Sequence, residues 1–107
     1  KQKKDIQNIL RMRIEWTSKS RNDYWKNIEY LERDWTNKEV LNFIDNVEYA
    51  IGLLKNDNVI FITTEYKNTY KMVIIKQITL FYSIKNETIY LLRFWNNYQD
   101  FNNFKLK

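Results

Sequence analysis

The last third of the chain contains three apolar runs of strand length, separated by polar breaks of two or three residues. The runs span Tyr70–Ile75, Ile78–Ile84 and Thr88–Trp95. Breaks this short join antiparallel neighbours, and Asn86-Glu87 suits a tight turn. The pattern therefore predicts a three-stranded antiparallel meander, and a polar cluster at 96–100 directly follows its last strand.

Two amphipathic helices are predicted upstream of the meander. The first has an apolar stripe at helical spacing, formed by Tyr24, Ile28, Leu31 and Trp35. Thr17, Ser18 or Ser20 can cap its start, and Asp23 in the first turn favours the positive end of the helix dipole. These signals predict a helix that ends near Trp35.

The second helix follows almost at once. Thr36 and Glu39 match a capping box. The apolar stripe that follows consists of Val40, Ile44, Val47, Ile51 and Leu54. Because the connection at 35–37 is so short, the two helices are expected to form an antiparallel hairpin.

A short first strand is predicted at Arg13–Thr17, where polar and apolar residues alternate. The segment 59–64 is apolar and β-branched, which fits either a strand or an extended loop, and 65–69 is polar and loop-like. The order strand, two helices, then a meander predicts an α+β fold with the hairpin packed on one face of an antiparallel sheet. We assign 12–107 to one domain and 1–11 to an N-terminal extension.

Composition excludes several classes of site. The chain has 107 residues with no cysteine and no histidine, which removes disulfides, thiolate or imidazole metal ligands, and histidine-based catalytic triads. It has one glycine and no proline, so no glycine-rich phosphate loop is present. No apolar run is long enough for a membrane span. We expect a cytoplasmic protein without metal or cofactor.

Charge is unevenly distributed along the chain. The net charge is +5, and residues 66–107 carry seven basic and two acidic residues. Positive charge gathered on the meander half is the pattern expected for a polyanion-binding surface. Charge needed only for solubility is the alternative interpretation.

The segment ITLFYSIKNETIYLLRFWNNYQD, preceded by the Ile14-Glu15-Trp16-Thr17 strand and the helix hairpin, resembles the RelE/ParE superfamily of toxins from bacterial type II toxin–antitoxin modules. The resemblance covers Met12 to about Asp100. Many members carry Arg and Pro where this chain has Tyr98 and Phe101. The resemblance implies the RelE/ParE fold and a cognate antitoxin as partner.

Two activities are known on this fold, and the resemblance leaves both open. RelE-like members cleave mRNA on the ribosome, whereas ParE-like members poison DNA gyrase without nuclease activity. The basic meander favours the ribosome-dependent endoribonuclease, and the long helix hairpin favours the gyrase poison. An inactive toxin fold retained as an antitoxin partner is a third possibility.

RNA cleavage by attack of a 2′-hydroxyl needs a base, charge stabilisation and a leaving-group acid. Arg93 interrupts an apolar strand and Tyr98 follows it, so we predict both as catalytic. The alternatives are an ion pair of Arg93 with Asp100 or a hairpin glutamate, and packing of Tyr98 on Trp95 or Phe101. The predicted nucleic-acid-binding residues are Lys67, Lys71, Lys76, Asn96, Asn97 and Gln99.

Overall fold

The computed structural model describes residues 12–56 and 61–106. The predicted extension at 1–11 and the start of the ambiguous segment, Val59 and Ile60, lie outside the described residues. In chain order the elements are β1 (Arg13–Trp16), α1 (Ser18–Asp34), α2 (Asn37–Lys55), β2 (Ile62–Thr63), β3 (Thr69–Ile75), β4 (Ile78–Lys85), β5 (Thr88–Asn96) and a 3₁₀ turn (Phe101–Asn103).

The strands form one five-stranded sheet in the order β1-β5-β4-β3-β2. The predicted meander is confirmed, because β3, β4 and β5 pair antiparallel in sequence order. The sheet gains a strand at each edge. β2 adds two residues antiparallel to β3, and β1 lies parallel to β5. The parallel edge differs from the predicted antiparallel sheet, because the helix hairpin carries the chain back across the sheet before the meander begins.

Both helix starts follow the predicted capping. The Thr17 hydroxyl accepts a hydrogen bond from the Ser20 amide at 3.1 Å, and Thr36 with Glu39 forms a capping box at the start of α2. Asp23 differs from the prediction. It lies beyond the first turn of α1, and its carboxylate binds β5 instead of the helix end.

The hairpin covers one face of the sheet, as predicted, and the main core lies between them. Leu31 of α1 and Phe43 of α2 are fully buried there. The sheet contributes Ile74, Ile78, Leu80, Tyr82, Ile89, Leu91 and Phe94. Tyr82 belongs to this core, and its burial raises the pKa of the hydroxyl to about 12.

A bulge in β5 decides which aromatic side chains face the helices. Phe81 of β4 pairs with Arg93, whereas its neighbour Tyr82 pairs with Leu91, so Leu92 is the extra residue. The inserted residue shifts the alternation by one position. Phe94 therefore points into the main core, and Trp95 points to the opposite face of the sheet, which we call the open face.

The turn between β4 and β5 places two non-glycine residues in the left-handed region of backbone conformation. Asn86 has φ 51° and Glu87 has φ 64°. This is the geometry of a type I′ hairpin turn, for which Asn-Gly is preferred. Both residues have a Cβ that crowds the following carbonyl, but the short polar side chain of asparagine can offset this by local hydrogen bonding, which the longer glutamate side chain does less well.

We expect Glu87→Gly to stabilise the fold by about 1 kcal/mol, because glycine relieves this crowding. Asn86→Gly is the matched control and should change stability by less. Urea unfolding followed by tryptophan fluorescence measures both. Equal effects of the two substitutions would contradict the assignment of strain to Glu87.

Candidate functional site

A cleft of about 300 Å³ opens on the open face of the sheet. Its floor contains Lys71 from β3, Thr79 and Phe81 from β4, and Trp95 from β5. The remaining lining residues come from the loop between β2 and β3 and from the chain after β5. They are Thr64, Glu65, Tyr66, Asn97, Gln99 and Phe101. The cleft therefore combines one ammonium, one carboxylate, one phenol and two amides with aromatic surface.

The end of the chain folds back onto the open face and builds one side of this cleft. Phe104 is buried there, and its ring centroid lies 4.6 Å from that of Phe81 and 5.0 Å from that of Trp95. It also stacks on Phe101 at 4.7 Å and contacts Tyr66 at 5.5 Å. Because Phe101 and Tyr66 both line the cleft, Phe104 fixes the positions of two lining side chains.

Arg93 is held by an ion pair with α1. Its Nε lies 2.6 Å from Asp23 Oδ2, and its Nη2 lies 3.0 Å from Asp23 Oδ1. The two side chains are only 15% and 12% exposed. The guanidinium also donates to the backbone carbonyl of Lys105. Arg93 therefore links α1, β5 and the returning end of the chain.

The carboxylate of Asp23 also closes an open strand edge. β1 pairs with β5 only as far as Leu91, so the later backbone groups of β5 have no strand partner on that side. The Phe94 amide donates to Asp23 at 3.0 Å, and the Phe94 carbonyl accepts from the side chain of Asn27 at 2.9 Å. Side chains of α1 thus replace the missing strand.

The chain after β5 sends alternate side chains to opposite sides of the sheet end. Asn97 and Gln99 line the cleft. Tyr98 lies on the hairpin side, where its ring is nearly parallel to that of Trp35, with 6.2 Å between centroids. The buried Asn96 accepts a hydrogen bond from the Tyr98 amide at 2.9 Å, which fixes this arrangement.

The structure brings three of the eight predicted site residues together in the cleft: Lys71, Asn97 and Gln99. Arg93 and Tyr98 are not among the described residues that line it. The ion pair considered for Arg93 exists, but the partner is Asp23 instead of Asp100 or a glutamate. Tyr98 stacks on Trp35, not on Trp95 or Phe101, which were the packing partners considered as the alternative to a catalytic role.

The other predicted binding residues lie elsewhere. Asn96 is buried, and its side chain is used within the turn that follows β5. Lys76 lies beside Trp35, with its Nζ 5.5 Å from the ring centroid. Lys67 is exposed in the loop before β3, outside the cleft. The predicted catalytic and binding roles of these residues stay predictions.

Sequence reasoning missed Glu65 and Tyr66, which line the same cleft as Lys71. Both belong to the polar stretch before the meander, which predicts a loop and gives no periodic signal. Loops next to a rigid sheet often carry functional side chains, so their place directly before β3 was the available signal.

Nothing in the described ranges 12–56 and 61–106 groups three acidic, cysteine or histidine side chains as a metal site. The described helices also include none that is long and apolar enough to cross a membrane.

Solved structures with a similar fold come from toxin–antitoxin systems. The chromosomal ParDE system of P. aeruginosa gives a TM-score of 0.68 at 13% identity, over 81% of this chain and 97% of that chain. The YoeB dimer of Staphylococcus aureus gives a TM-score of 0.57 at 13% identity, over 82% of this chain and 99% of that chain. The E. coli DinJ–YafQ complex gives a TM-score of 0.57 at 14% identity, over 80% of this chain and 92% of that chain.

No protein-family profile matches the sequence, and no curated protein sequence matches it. The likeness is therefore one of structure. Two helices on one face of a mostly antiparallel five-stranded sheet, shared with these toxins over most of both chains, identify the α+β fold of the RelE/ParE toxins. The fold expectation drawn from the sequence is confirmed.

We expect Asp23→Ala to destabilise the protein by about 3–5 kcal/mol, because it leaves the Arg93 charge and the Phe94 amide without their partner. The matched control is Asp34→Ala. Asp34 pairs with Arg33 at 3.1 Å on the surface, where the two side chains are 46% and 68% exposed.

The control should change stability by no more than about 1 kcal/mol, since exposed ion pairs contribute little. Urea unfolding followed by circular dichroism compares the two variants. If Asp23→Ala costs no more than Asp34→Ala, the ion pair does not hold β5 and the end of the chain in place.

Proposed function

We propose that this protein is the toxin of a type II toxin–antitoxin module and that it acts as a ribosome-dependent mRNA endoribonuclease. The observation that carries the proposal is the open-face cleft, where Lys71, Glu65 and Tyr66 lie among aromatic side chains. Basic, acidic and phenolic groups beside aromatic surface suit a single RNA strand, whose bases stack and whose phosphates need cations.

The reaction would be a transesterification within the RNA. The 2′-oxygen attacks the adjacent phosphorus, the bond from phosphorus to the 5′-oxygen breaks, and a 2′,3′-cyclic phosphate and a 5′-hydroxyl result. The 2′-hydroxyl proton goes to a base, and the leaving oxygen takes a proton from an acid. General acid–base catalysis of this kind typically contributes about 10²–10⁴-fold.

The cleft offers a group for each of these roles. The Glu65 carboxylate can accept the 2′-hydroxyl proton, and the Tyr66 phenol or the Lys71 ammonium can donate to the leaving oxygen. Lys71 can also stabilise the charge that develops on the phosphate oxygens. The Gln99 amide can orient the substrate. Asn97 is a positioning residue, because its side chain already bonds Thr79 and the carbonyl of Lys76.

Arg93 fits this scheme as a positioning residue. Its guanidinium holds Asp23 and the carbonyl of Lys105, so it supports the side of the cleft that Phe104 builds. A direct catalytic role for Arg93 or Tyr98 is the prediction from the sequence, and it remains open to test. Arg93→Lys keeps the positive charge but loses the two-point contact, which separates a contribution of charge from one of geometry.

A gyrase poison is the second candidate. Two observations favour it: the ParDE system gives the highest TM-score of the three structures compared, and the Arg93 guanidinium is already neutralised by Asp23. This candidate needs no catalytic residues. An inactive toxin fold retained to bind an antitoxin is a third candidate, and it predicts no growth arrest.

A cognate antitoxin is the proposed partner in each case. The DinJ–YafQ structure is a toxin–antitoxin complex and the YoeB–YefM structure is also a complex, and each contains a chain with this fold. Such a partner would be expected to cover the basic meander side of the protein. We also propose a cytoplasmic location, where ribosomes and gyrase are both found.

We expect Lys71→Ala to lower the rate of mRNA cleavage by about 10²–10³-fold in a purified translation reaction, because it removes the charge that stabilises the transition state. Glu65→Gln should lower the rate by about 10²–10⁴-fold, because an amide cannot accept the proton. Primer extension on the mRNA measures both rates.

Lys85→Ala is the matched control. Lys85 is an exposed lysine at the end of β4, outside the cleft, and its removal should leave the rate within about twofold. Equal rates for Lys71→Ala and Lys85→Ala would remove the cleft from the mechanism. Growth arrest with intact transcripts and accumulated gyrase cleavage complexes would favour the gyrase poison instead.

A further inference from the structure

We infer that Trp35, Tyr98 and Lys76 form a second nucleic-acid contact, a stacking platform that takes one base of a single strand outside the cleft. The three residues come from separate parts of the chain. Trp35 follows α1, Lys76 lies in the turn between β3 and β4, and Tyr98 follows β5. The inference deepens the proposed function, because it extends the path of the same RNA strand.

The geometry is that of an exposed aromatic surface with a cation beside it. The planes of the Trp35 and Tyr98 rings are 11° apart, and their centroids are separated by 6.2 Å. The ammonium of Lys76 lies 5.5 Å from the Trp35 centroid. Tyr98 is 59% exposed, so much of its ring remains available to a ligand. A base can stack on that surface while the cation contacts its phosphate.

Hydrogen bonds hold the Trp35 ring and the backbone at Tyr98 and Lys76 in place before any ligand arrives. The Trp35 indole nitrogen donates to the hydroxyl of Tyr30 at 2.9 Å. The Tyr98 amide donates to the Asn96 side chain, and the Asn97 side chain donates to the carbonyl of Lys76 at 2.9 Å. Fixed aromatic groups lose little conformational entropy on binding, which favours a recognition surface.

The platform and the cleft meet at Asn97. The side-chain oxygen of Asn97 accepts a hydrogen bond from the Thr79 hydroxyl in the cleft floor at 3.0 Å. Its side-chain nitrogen donates to the backbone carbonyl of Lys76, a member of the platform. Tyr98 itself lies between Asn97 and Gln99, which both line the cleft. A strand that leaves the cleft around the end of β5 would therefore pass the platform next.

A role in packing alone accounts poorly for Tyr98. A tyrosine that only closed the hairpin end would be expected to bury its ring, as Tyr82 does in the core. The charge also favours nucleic acid, because the meander half that contributes Lys76 and Tyr98 carries seven basic and two acidic residues.

The test measures binding of a fluorescein-labelled 2′-O-methyl RNA decamer by fluorescence anisotropy. The methylated 2′-oxygen cannot attack the phosphate, so binding is measured without cleavage. A second decamer of the same length, abasic throughout, keeps the phosphates and removes stacking. Each probe is titrated with the whole chain carrying Tyr98→Ala, Tyr98→Phe, Lys76→Ala or the control Tyr49→Ala, whose tyrosine is exposed on α2 away from the platform.

We expect Tyr98→Ala to weaken binding of the intact decamer about tenfold and to leave the abasic decamer unchanged. Tyr98→Phe and Tyr49→Ala should bind like the unsubstituted protein, because both retain the platform ring. Lys76→Ala should weaken binding of both decamers equally. It should also lower the slope of log affinity against log salt concentration by about one. Circular dichroism confirms that each variant is folded.

Equal affinity of the unsubstituted protein for intact and abasic decamers would overturn the inference. An unchanged affinity of Tyr98→Ala for the intact decamer would also overturn it. If that variant keeps its RNA affinity but no longer arrests growth, the surface binds a protein partner instead. The proposed function fails separately. A protein whose affinity for the intact decamer falls in Tyr98→Ala but that leaves mRNA uncut in a translation reaction has the platform without the nuclease.

Discussion

Asp23 is placed by α1 at the point where β1 ends and β5 continues alone. Its carboxylate accepts hydrogen bonds from the Phe94 amide and from Nε and Nη2 of Arg93, so one side chain closes a strand edge and neutralises a partly buried charge. Asn27, one turn further along α1, accounts for the Phe94 carbonyl. The helix hairpin is thereby attached to the sheet by polar contacts as well as by its apolar stripe.

The same contact determines what happens on the other face. Arg93 reaches the carbonyl of Lys105, and Phe104 next to it packs between Phe81 and Trp95. The bulge at Leu92 is what brings Trp95 to that face while Phe94 stays in the main core. The cleft thus depends on a helix side chain, a strand irregularity and the end of the chain, which together hold its aromatic surface in place.

Local patterns were sufficient to predict both helices, β1 and the three meander strands, but they left β2 open between a strand and a loop. The helix stripes, the caps at Thr17 and Thr36 and the turn at Asn86-Glu87 all depend on neighbours within a few residues, and each agrees with the structure. The parallel pairing of β1 with β5 joins residues 75 positions apart, and no local pattern records it.

The site was less predictable for the same reason. Arg93 interrupts an apolar strand, which signals a polar partner but does not identify Asp23 on another element. The bulge reverses the alternation of side chains after Leu91. A strict alternation along β5 would therefore put Phe94 and Trp95 on the wrong faces of the sheet. Alternation does separate Asn97 and Gln99 from Tyr98, and the structure sends these side chains to opposite sides of the sheet end.

The most direct test of the account is to express the protein in cells without an antitoxin and to map transcript ends alongside gyrase cleavage complexes. The account predicts growth arrest with new transcript ends inside translated regions. It also predicts that these ends disappear when initiation of translation is blocked. Arrest with intact transcripts, or cleavage that persists without translation, would contradict it.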